Sequence, residues 1–305
     1  MINTKPDWLR KKMPDTTVLF SMKNFFNELT LHTVCEDAEC PNQGECFAEK
    51  TATFLILGNV CTRSCKFCAI SKRKPTNLPD ANEPENVALA VCKLCLDYVV
   101  ITSVTRDDLV DGGSAHFSET IAAIRQHRPE AKIEVLVPDF KGSDLAIRTV
   151  AKSQPDVLNH NIETVYRLYN KVRPEADYNR SLELLKKVKS LNSKVITKSG
   201  IMLGLGENRR EILFAMEDLR RAGCDILTIG QYLRPSREHY QVKRYIPPDE
   251  FEVLKKEAYA LGFKGVASAP FVRSSYKADA MYRQSKLCLA IPSTINKAAG
   301  LWRGL

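Results

Sequence analysis

The sequence predicts an α/β protein built as a partial (β/α)6 barrel of the TIM type, with an N-terminal extension and a C-terminal segment. Three observations lead there. From Thr51 onward, six short apolar runs alternate with helix-forming segments. The runs are continuously apolar rather than alternating, as strands buried on both faces of a parallel sheet are. Consecutive β-α units favour a parallel sheet with right-handed crossovers, and six units fall short of the eight that close a barrel.

The strand candidates are Phe54–Leu57, Tyr98–Val104, Ile133–Val137, Val157–Asn161, Val195–Leu203 and Ile226–Tyr232. Helix candidates fall between them at Pro84–Leu96, His116–His127, Asp144–Ser153, Arg180–Leu191 and Arg209–Ala222, the last followed by a stop signal at Gly223. A further helix at Asp249–Leu261 leads to the run Lys264–Ala267, which would add an edge strand. The chain therefore divides into residues 1–50, residues 51–262 and residues 263–305. The first 33 residues lack periodicity; Trp8, Leu9, Phe20, Phe25 and Phe26 suggest an arm packed on the body, with a short helix at Ser21–Glu28. The tail from Ala280, which includes Leu301 and Trp302, has weak periodicity and reads as poorly ordered or surface-packed.

With 44% hydrophobic and 27% charged residues among 305, the composition is that of a soluble globular protein. Residues Met1 to Pro14 carry no apolar signal core, and no run approaches the roughly 18 apolar residues of a membrane span. A cytoplasmic location with neither membrane nor nucleic acid as partner is expected. The net charge of +9 is scattered, with its densest run at Lys72-Arg73-Lys74, and reads first as a solvated surface, with an acidic protein partner as the next reading and nucleic acid after it. Ten cysteines are many, and they are clustered rather than spread as a disulfide framework would be.

Six of the ten lie between Val34 and Ile70. Cys61, Cys65 and Cys68 are spaced C-x3-C-x2-C just after the first strand candidate, at the barrel end where active sites lie. Three thiolates within eight residues can wrap one soft metal centre. A structural zinc site closes with four ligands. An iron–sulfur cubane held by three cysteines leaves one iron open to another ligand. Cys35, Cys40 and Cys46, spaced C-x4-C-x5-C, form a second triad ahead of the barrel that needs a fourth ligand from elsewhere or an open site. His32 reads as a packing or surface residue. Cys92 and Cys95 fall in an apolar helical run and read as core, as do the isolated Cys224 and Cys288.

The C-x3-C-x2-C spacing with Phe67 before its last cysteine resembles the signature of the radical S-adenosylmethionine superfamily. That resemblance implies a 4Fe-4S cluster on Cys61, Cys65 and Cys68 whose open iron chelates S-adenosyl-L-methionine, cleaved by one electron to methionine and a 5′-deoxyadenosyl radical. The double triad closely resembles the lipoyl synthase family. So do TSVTRDDLVDGGSAHF at Thr102–Phe117, NHNIETV at Asn159–Val165, VRPEADYNRSLELL at Val172–Leu185, KSGIMLGLGE at Lys198–Glu207 and FVRSSY at Phe271–Tyr276. The match runs from about Pro6 to about Asp279. It implies a second, auxiliary 4Fe-4S cluster on Cys35, Cys40 and Cys46, with Ser275, rather than Ser274, as its fourth ligand. A serine oxygen is a hard ligand on iron and would be the labile contact of a cluster that gives up sulfur.

Several strand-end residues are further candidates. Thr102, Ser103 and Arg106 end the second strand candidate, and Asn159, His160, Asn161 and Glu163 end the fourth. The resemblance places this last group at the S-adenosylmethionine site, with Asn161 and Glu163 foremost. Lys198 is polar in an apolar strand and is costly to bury unpaired, so it should meet a carboxylate, of ligand or protein. Gly112 and Gly113 fit turn geometry, and Gly204-Leu205-Gly206 fits close backbone approach to adenosine at the barrel mouth.

The activity implied is insertion of two sulfur atoms at C6 and C8 of an octanoyl chain carried on a lysine of a lipoyl carrier domain, such as a glycine cleavage H protein or a 2-oxoacid dehydrogenase E2 subunit. Ferredoxin or flavodoxin would donate electrons. Such C–H bonds are beyond acid–base chemistry and demand a radical cofactor. The alternatives are another radical sulfur-inserting enzyme such as a methylthiotransferase, or a non-enzymatic electron carrier or zinc protein. The first usually carries additional domains; a carrier needs closed clusters and no barrel.

Overall fold

A computed structural model of the chain describes residues 5–11 and 15–290. Among the described residues ten strands form: β1 (His32–Thr33), β2 (Thr53–Ile56), β3 (Val60–Cys61), β4 (Ser71–Lys72), β5 (Tyr98–Ser103), β6 (Lys132–Leu136), β7 (Val157–Asn159), β8 (Ile196–Leu203), β9 (Ile226–Gln231) and β10 (Gly265–Ser268). The main sheet has the order β1-β2-β5-β6-β7-β8-β9-β10. From β2 to β10 every pairing is parallel and follows chain order, while β1 adds antiparallel to β2. The expected open (β/α)6 barrel is present with both edges extended, by β10 as expected and by β1, which was not.

The helices form where the pattern placed them, because each has an apolar stripe and a local start signal. Asn208 and Glu211 make a reciprocal capping box on the helix Arg209–Arg221, and Gly223, at φ +83°, ends it in a conformation that costs glycine little. Ser143 and Asp177 cap the helices Asp144–Lys152 and Tyr178–Leu191 by accepting from the backbone N–H groups of Ala146 and Arg180.

The N-terminal arm starts its helix earlier than expected, at Thr16–Glu28, because Asp15 caps it by accepting from Thr17 N at 2.8 Å. Phe26 anchors it, fully buried with ring centroids 5.9 Å from Phe47 and 6.1 Å from Phe54. Leu9 is buried too, but Trp8 and Phe20 are exposed and take no part in that anchor. The helix Glu83–Lys93 ends before Cys95, which sits at φ +54° and is exposed, so Cys92 and Cys95 do not share a buried helical face. Cys224 is buried, as expected.

Part of the tail needs a correction. Residues Ala278–Ala290 form a helix, and Ala278 and Met281 pack against Val157, Ile196 and Ile226. Those three residues begin their strands, so the helix covers the floor of the barrel. The signal was present in the sequence: Ala278, Met281, Tyr282 and Ser285 recur at helical spacing. Leu301 and Trp302 lie outside the described residues.

Lys198 meets the carboxylate expected of it, and that carboxylate is the protein's own rather than a ligand's. Its Nζ donates to both carboxylate oxygens of Glu134, at 2.8 and 3.0 Å, deep inside the barrel. Tyr98 and Asn159 also donate to Glu134, at 2.7 and 3.1 Å. Lys198 is therefore paired within the fold and does not face the mouth. Removing it leaves a buried carboxylate without its counter-charge. Lys198→Ala should lower unfolding free energy by about 3–5 kcal/mol in a denaturant titration; wild-type stability would show that the pair is not needed for the fold.

Candidate active site

The residues after β2 turn sharply, with Leu57 at φ +68° and Gly58 at φ +81°. This turn delivers the Cys61–Cys68 loop to the C-terminal mouth of the barrel, as the spacing predicted. The loop is pinned from several sides. Thr62 N donates to Thr105 O at 3.0 Å, and Lys66 N to Val172 O at 2.8 Å. Tyr240 N donates to Lys66 O at 2.8 Å, and the His239 ring lies 2.9 Å from Cys68 O. Beneath the loop, buried Arg63 forks onto Asp107 at 2.7 and 2.9 Å and reaches Asp139 at 2.6 Å. Arg180 holds the other Asp139 oxygen at 2.7 Å.

The first triad is set by two short helices. Cys35 lies in Val34–Asp37 and Cys46 in Gln43–Ala48, with Cys40 between them. Both triads meet at one cavity of about 520 Å3. Cys35 and Cys40 of the first triad and Cys61, Cys65 and Cys68 of the second line it; Cys46 is not among its lining residues. Phe67, Thr102, Ser103, Asn161, Glu163, Ser274 and Ser275 also line it. Thus the far end of the chain does reach the two cysteine loops.

The wall is chemically unfinished. The buried Ser103 Oγ, His160 Nε2, Asn161 Oδ1 and Arg173 Nε have no hydrogen-bond partner among the described residues. Four such atoms around one cavity fit a polar ligand, since buried polar groups are otherwise almost always paired. Thr102 is different: its hydroxyl is spent on Leu136 O at 2.9 Å. Asn161 Nδ2 donates to Glu163 Oε1 at 3.0 Å and to Ser274 Oγ at 2.6 Å. Burial pushes the Glu163 carboxyl up, against the opposing pull of Arg173 and of the Asn161 hydrogen bond.

The donor set fits a metal–sulfur core. Burial pushes the Cys35 and Cys68 thiols up to about 12 and Cys46 up to about 11, and raises Cys65 against the opposing charge of Arg173. Such thiols keep their protons at neutral pH unless a positive metal centre displaces them. Among the described residues, no group of three His, Cys, Asp or Glu side chains is placed to hold a single metal ion. A multi-iron core spaces its ligands more widely than one zinc does.

Two expected site features lie elsewhere. The Gly204-Leu205-Gly206 turn does not line the cavity; Glu207 caps its N–H groups at 2.6 and 2.9 Å, and Gly204 packs against Gln231 and Arg244. Arg106 is buried on Asp108, Leu57 O and Asn77 O and serves the loop. Conversely, the sequence reading missed Arg173, Arg273 and Gly200. A Cβ on Gly200 would come within 2.6 Å of Thr228 Oγ1 and 2.9 Å of Asn161 Oδ1, so only glycine leaves the wall open there.

The radical SAM superfamily profile matches residues 55–219, the segment from β2 through most of the helix after β8. Over 275 residues, 90% of this chain and 96% of the relative, the sequence is 55% identical to lipoyl synthase of Caldanaerobacter subterraneus subsp. tengcongensis. It is 53% identical to the lipoyl synthase of Alkaliphilus metalliredigens, over 91% of this chain and 95% of that one. The chain belongs to the lipoyl synthase family. As a lipoyl synthase family member it is a radical SAM enzyme, and that superfamily carries a 4Fe-4S cluster and S-adenosylmethionine. Solved structures agree on the fold. HydG, a maturase of the FeFe-hydrogenase, matches with a TM-score of 0.56 at 12% identity, over 70% of this chain and 50% of that one. SuiB of Streptococcus suis matches with a TM-score of 0.54 at 11% identity, over 85% and 54%. Among the described residues, no helix is long and apolar enough to cross a membrane.

The clamp under the Cys61–Cys68 loop has a testable pH signature. Burial alone would raise the Asp139 carboxyl, but Arg63, with help from His160 and Arg180, holds it well below the usual carboxylate range. A depressed carboxylate stabilises the fold above its unfolded pKa of about 3.9, and that contribution fades as pH falls toward the folded value. Asp139→Asn should cost about 3 kcal/mol at pH 7. In urea titrations the gap to wild type should narrow below about pH 4; a constant gap would mean the carboxylate charge is not what stabilises.

Proposed function

We propose that this chain makes lipoyl groups: it replaces one C–H bond at C6 and one at C8 of a carrier-bound octanoyl chain with C–S bonds. The observation that carries the reading is the single cavity reached by both cysteine triads. When bound, two 4Fe-4S clusters and S-adenosylmethionine would supply the radical and the sulfur.

The residues divide the work. Cys61, Cys65 and Cys68 hold the radical-generating cluster, and the Arg63 clamp fixes their loop. Ser103, Asn161 and Glu163 offer polar groups to S-adenosylmethionine, with Phe67 and Thr102 completing the wall. Lys198 is withdrawn from this set, since Glu134 already holds it inside the barrel. Cys35, Cys40 and Cys46 hold the auxiliary cluster, and Ser275 completes its coordination. The choice between the two serines rests on their partners. Ser274 Oγ accepts from Asn161, whereas Ser275 Oγ makes no hydrogen bond among the described residues. The cavity volume suits a small cofactor with an alkyl chain beside it. The +9 charge supports an acidic carrier domain and an acidic electron donor of the ferredoxin or flavodoxin type. A cytoplasmic setting would keep the thiols reduced.

The deciding measurement is mass spectrometry of an octanoylated carrier domain after anaerobic incubation with enzyme, reductant and S-adenosylmethionine. Gain of two sulfurs is expected; an unchanged octanoyl group with active reductant would reject the reading. Reconstituted protein should hold about eight irons per chain. Cys65→Ala should abolish S-adenosylmethionine cleavage. Cys40→Ala should keep some cleavage and yield no sulfur insertion, and dithiolane product from it would contradict the donor role of the first triad.

A further inference from the structure

Ser275 makes no hydrogen bond among the described residues, yet both of its neighbours are anchored. On one side, Ser274 Oγ accepts from Asn161 Nδ2 at 2.6 Å. On the other, Tyr276 Oη donates to Glu45 Oε1 at 2.5 Å. Glu45 directly precedes Cys46, so this second anchor ties the serine segment to the first triad itself. The N-terminal arm joins the same knot. Lys11 Nζ donates to Glu45 Oε2 at 3.0 Å and to Asn42 Oδ1 at 2.6 Å. It also lies 4.9 Å from the Phe271 ring centroid and 5.8 Å from that of Tyr276. Asn42, between Cys40 and Cys46, is almost fully buried and donates to Phe271 O at 2.8 Å.

We propose that Lys11, Glu45 and Tyr276 form a latch that holds the Ser275 segment against the first cysteine triad, making them positioning residues for the auxiliary cluster's serine ligand. The proposal rests on the cluster reading above. Its logic is local. A serine that must both bind and release an iron cannot be held by its own hydrogen bonds. Its position has to be set by the residues on either side. The Asn161 anchor belongs to the wall shared with S-adenosylmethionine, and the Glu45 anchor belongs to the cluster loop. The serine thus sits between an anchor to Asn161 and an anchor to Glu45. Freeing Tyr276 would leave the Asn42–Phe271 hydrogen bond and the 3.8 Å Lys277–Glu45 pair as the segment's remaining ties to the first triad, so the serine would be held there less closely while the second triad kept its own surroundings. Tyr276 Oη and Lys11 Nζ use separate oxygens of one carboxylate, so removing either weakens the latch without deleting a cluster ligand.

The test uses full-length, anaerobically reconstituted protein with Tyr276→Phe and Lys11→Met, and Arg148→Ala as a surface control. Iron release to a chelator is followed in time, and hydrogen exchange is measured on the iron-free protein. About four irons should leave Tyr276→Phe roughly tenfold faster than wild type, as expected for a lost charge-assisted hydrogen bond, while the other four or so stay and S-adenosylmethionine cleavage continues. Amide protection should fall across residues 271–277 and stay unchanged in β8 and β9. A purely structural defect would speed the loss of both iron populations and lower protection in the strands, and it would overturn the proposal. Wild-type release rates together with wild-type protection in both variants would overturn it as well. If wild-type protein takes up only about four irons, the two-cluster reading fails instead. The exchange result then still decides whether the latch holds the segment.

Discussion

A saturated carbon can accept sulfur only where the radical source and the sulfur source reach it in one space closed to water. Everything in this fold answers to that requirement. The two cysteine triads are neighbours in sequence, but they hang from different supports: a loop at the end of β2 and a pair of short helices ahead of it. Only the parallel sheet, which collects strand ends at one mouth, and the C-terminal return past β10 bring them to the lining of one cavity.

The polar interior is arranged in two tiers with opposite demands. Near the floor, Lys198, Tyr98 and Asn159 Nδ2 all donate to Glu134, Asn159 Oδ1 alone of that group lacks a partner among the described residues, and the Ala278–Ala290 helix seals the group from below. Near the mouth, Ser103, His160, Asn161 and Arg173 keep atoms without partners among the described residues. Burying a polar group unpaired costs free energy, so the second tier marks where a ligand completes the structure. The same contrast separates Arg63, locked on two carboxylates beneath the cysteine loop, from Arg173, whose guanidinium donates to two carbonyls and a phenol among the described residues.

The barrel was legible in the sequence because burial on both faces writes a continuous apolar run, and capping residues write helix starts. The Cys61–Cys68 loop was legible because its ligands lie close together and follow a strand. The floor helix could have been read from its own spacing. Cys95 was misplaced because a helix end is decided by one residue's backbone angle. Lys198 could be given a carboxylate partner from sequence, but not its identity, since Glu134 lies 64 residues away.

By itself, then, the sequence determined the parallel α/β scaffold, the two cysteine triads, and the kinship that the double triad and the R-S-S-Y stretch announce. Those are local patterns, set by spacing along the chain. Only the tertiary structure decided which polar residues face the cavity, that Gly204 does not and Gly200 must, and that Ser274 is engaged while Ser275 is not. Those facts depend on contacts such as Asn42 to Phe271 and Glu45 to Tyr276, whose partners lie 229 and 231 residues apart. No spacing rule reaches that far; hydrogen-bond geometry in the folded chain does.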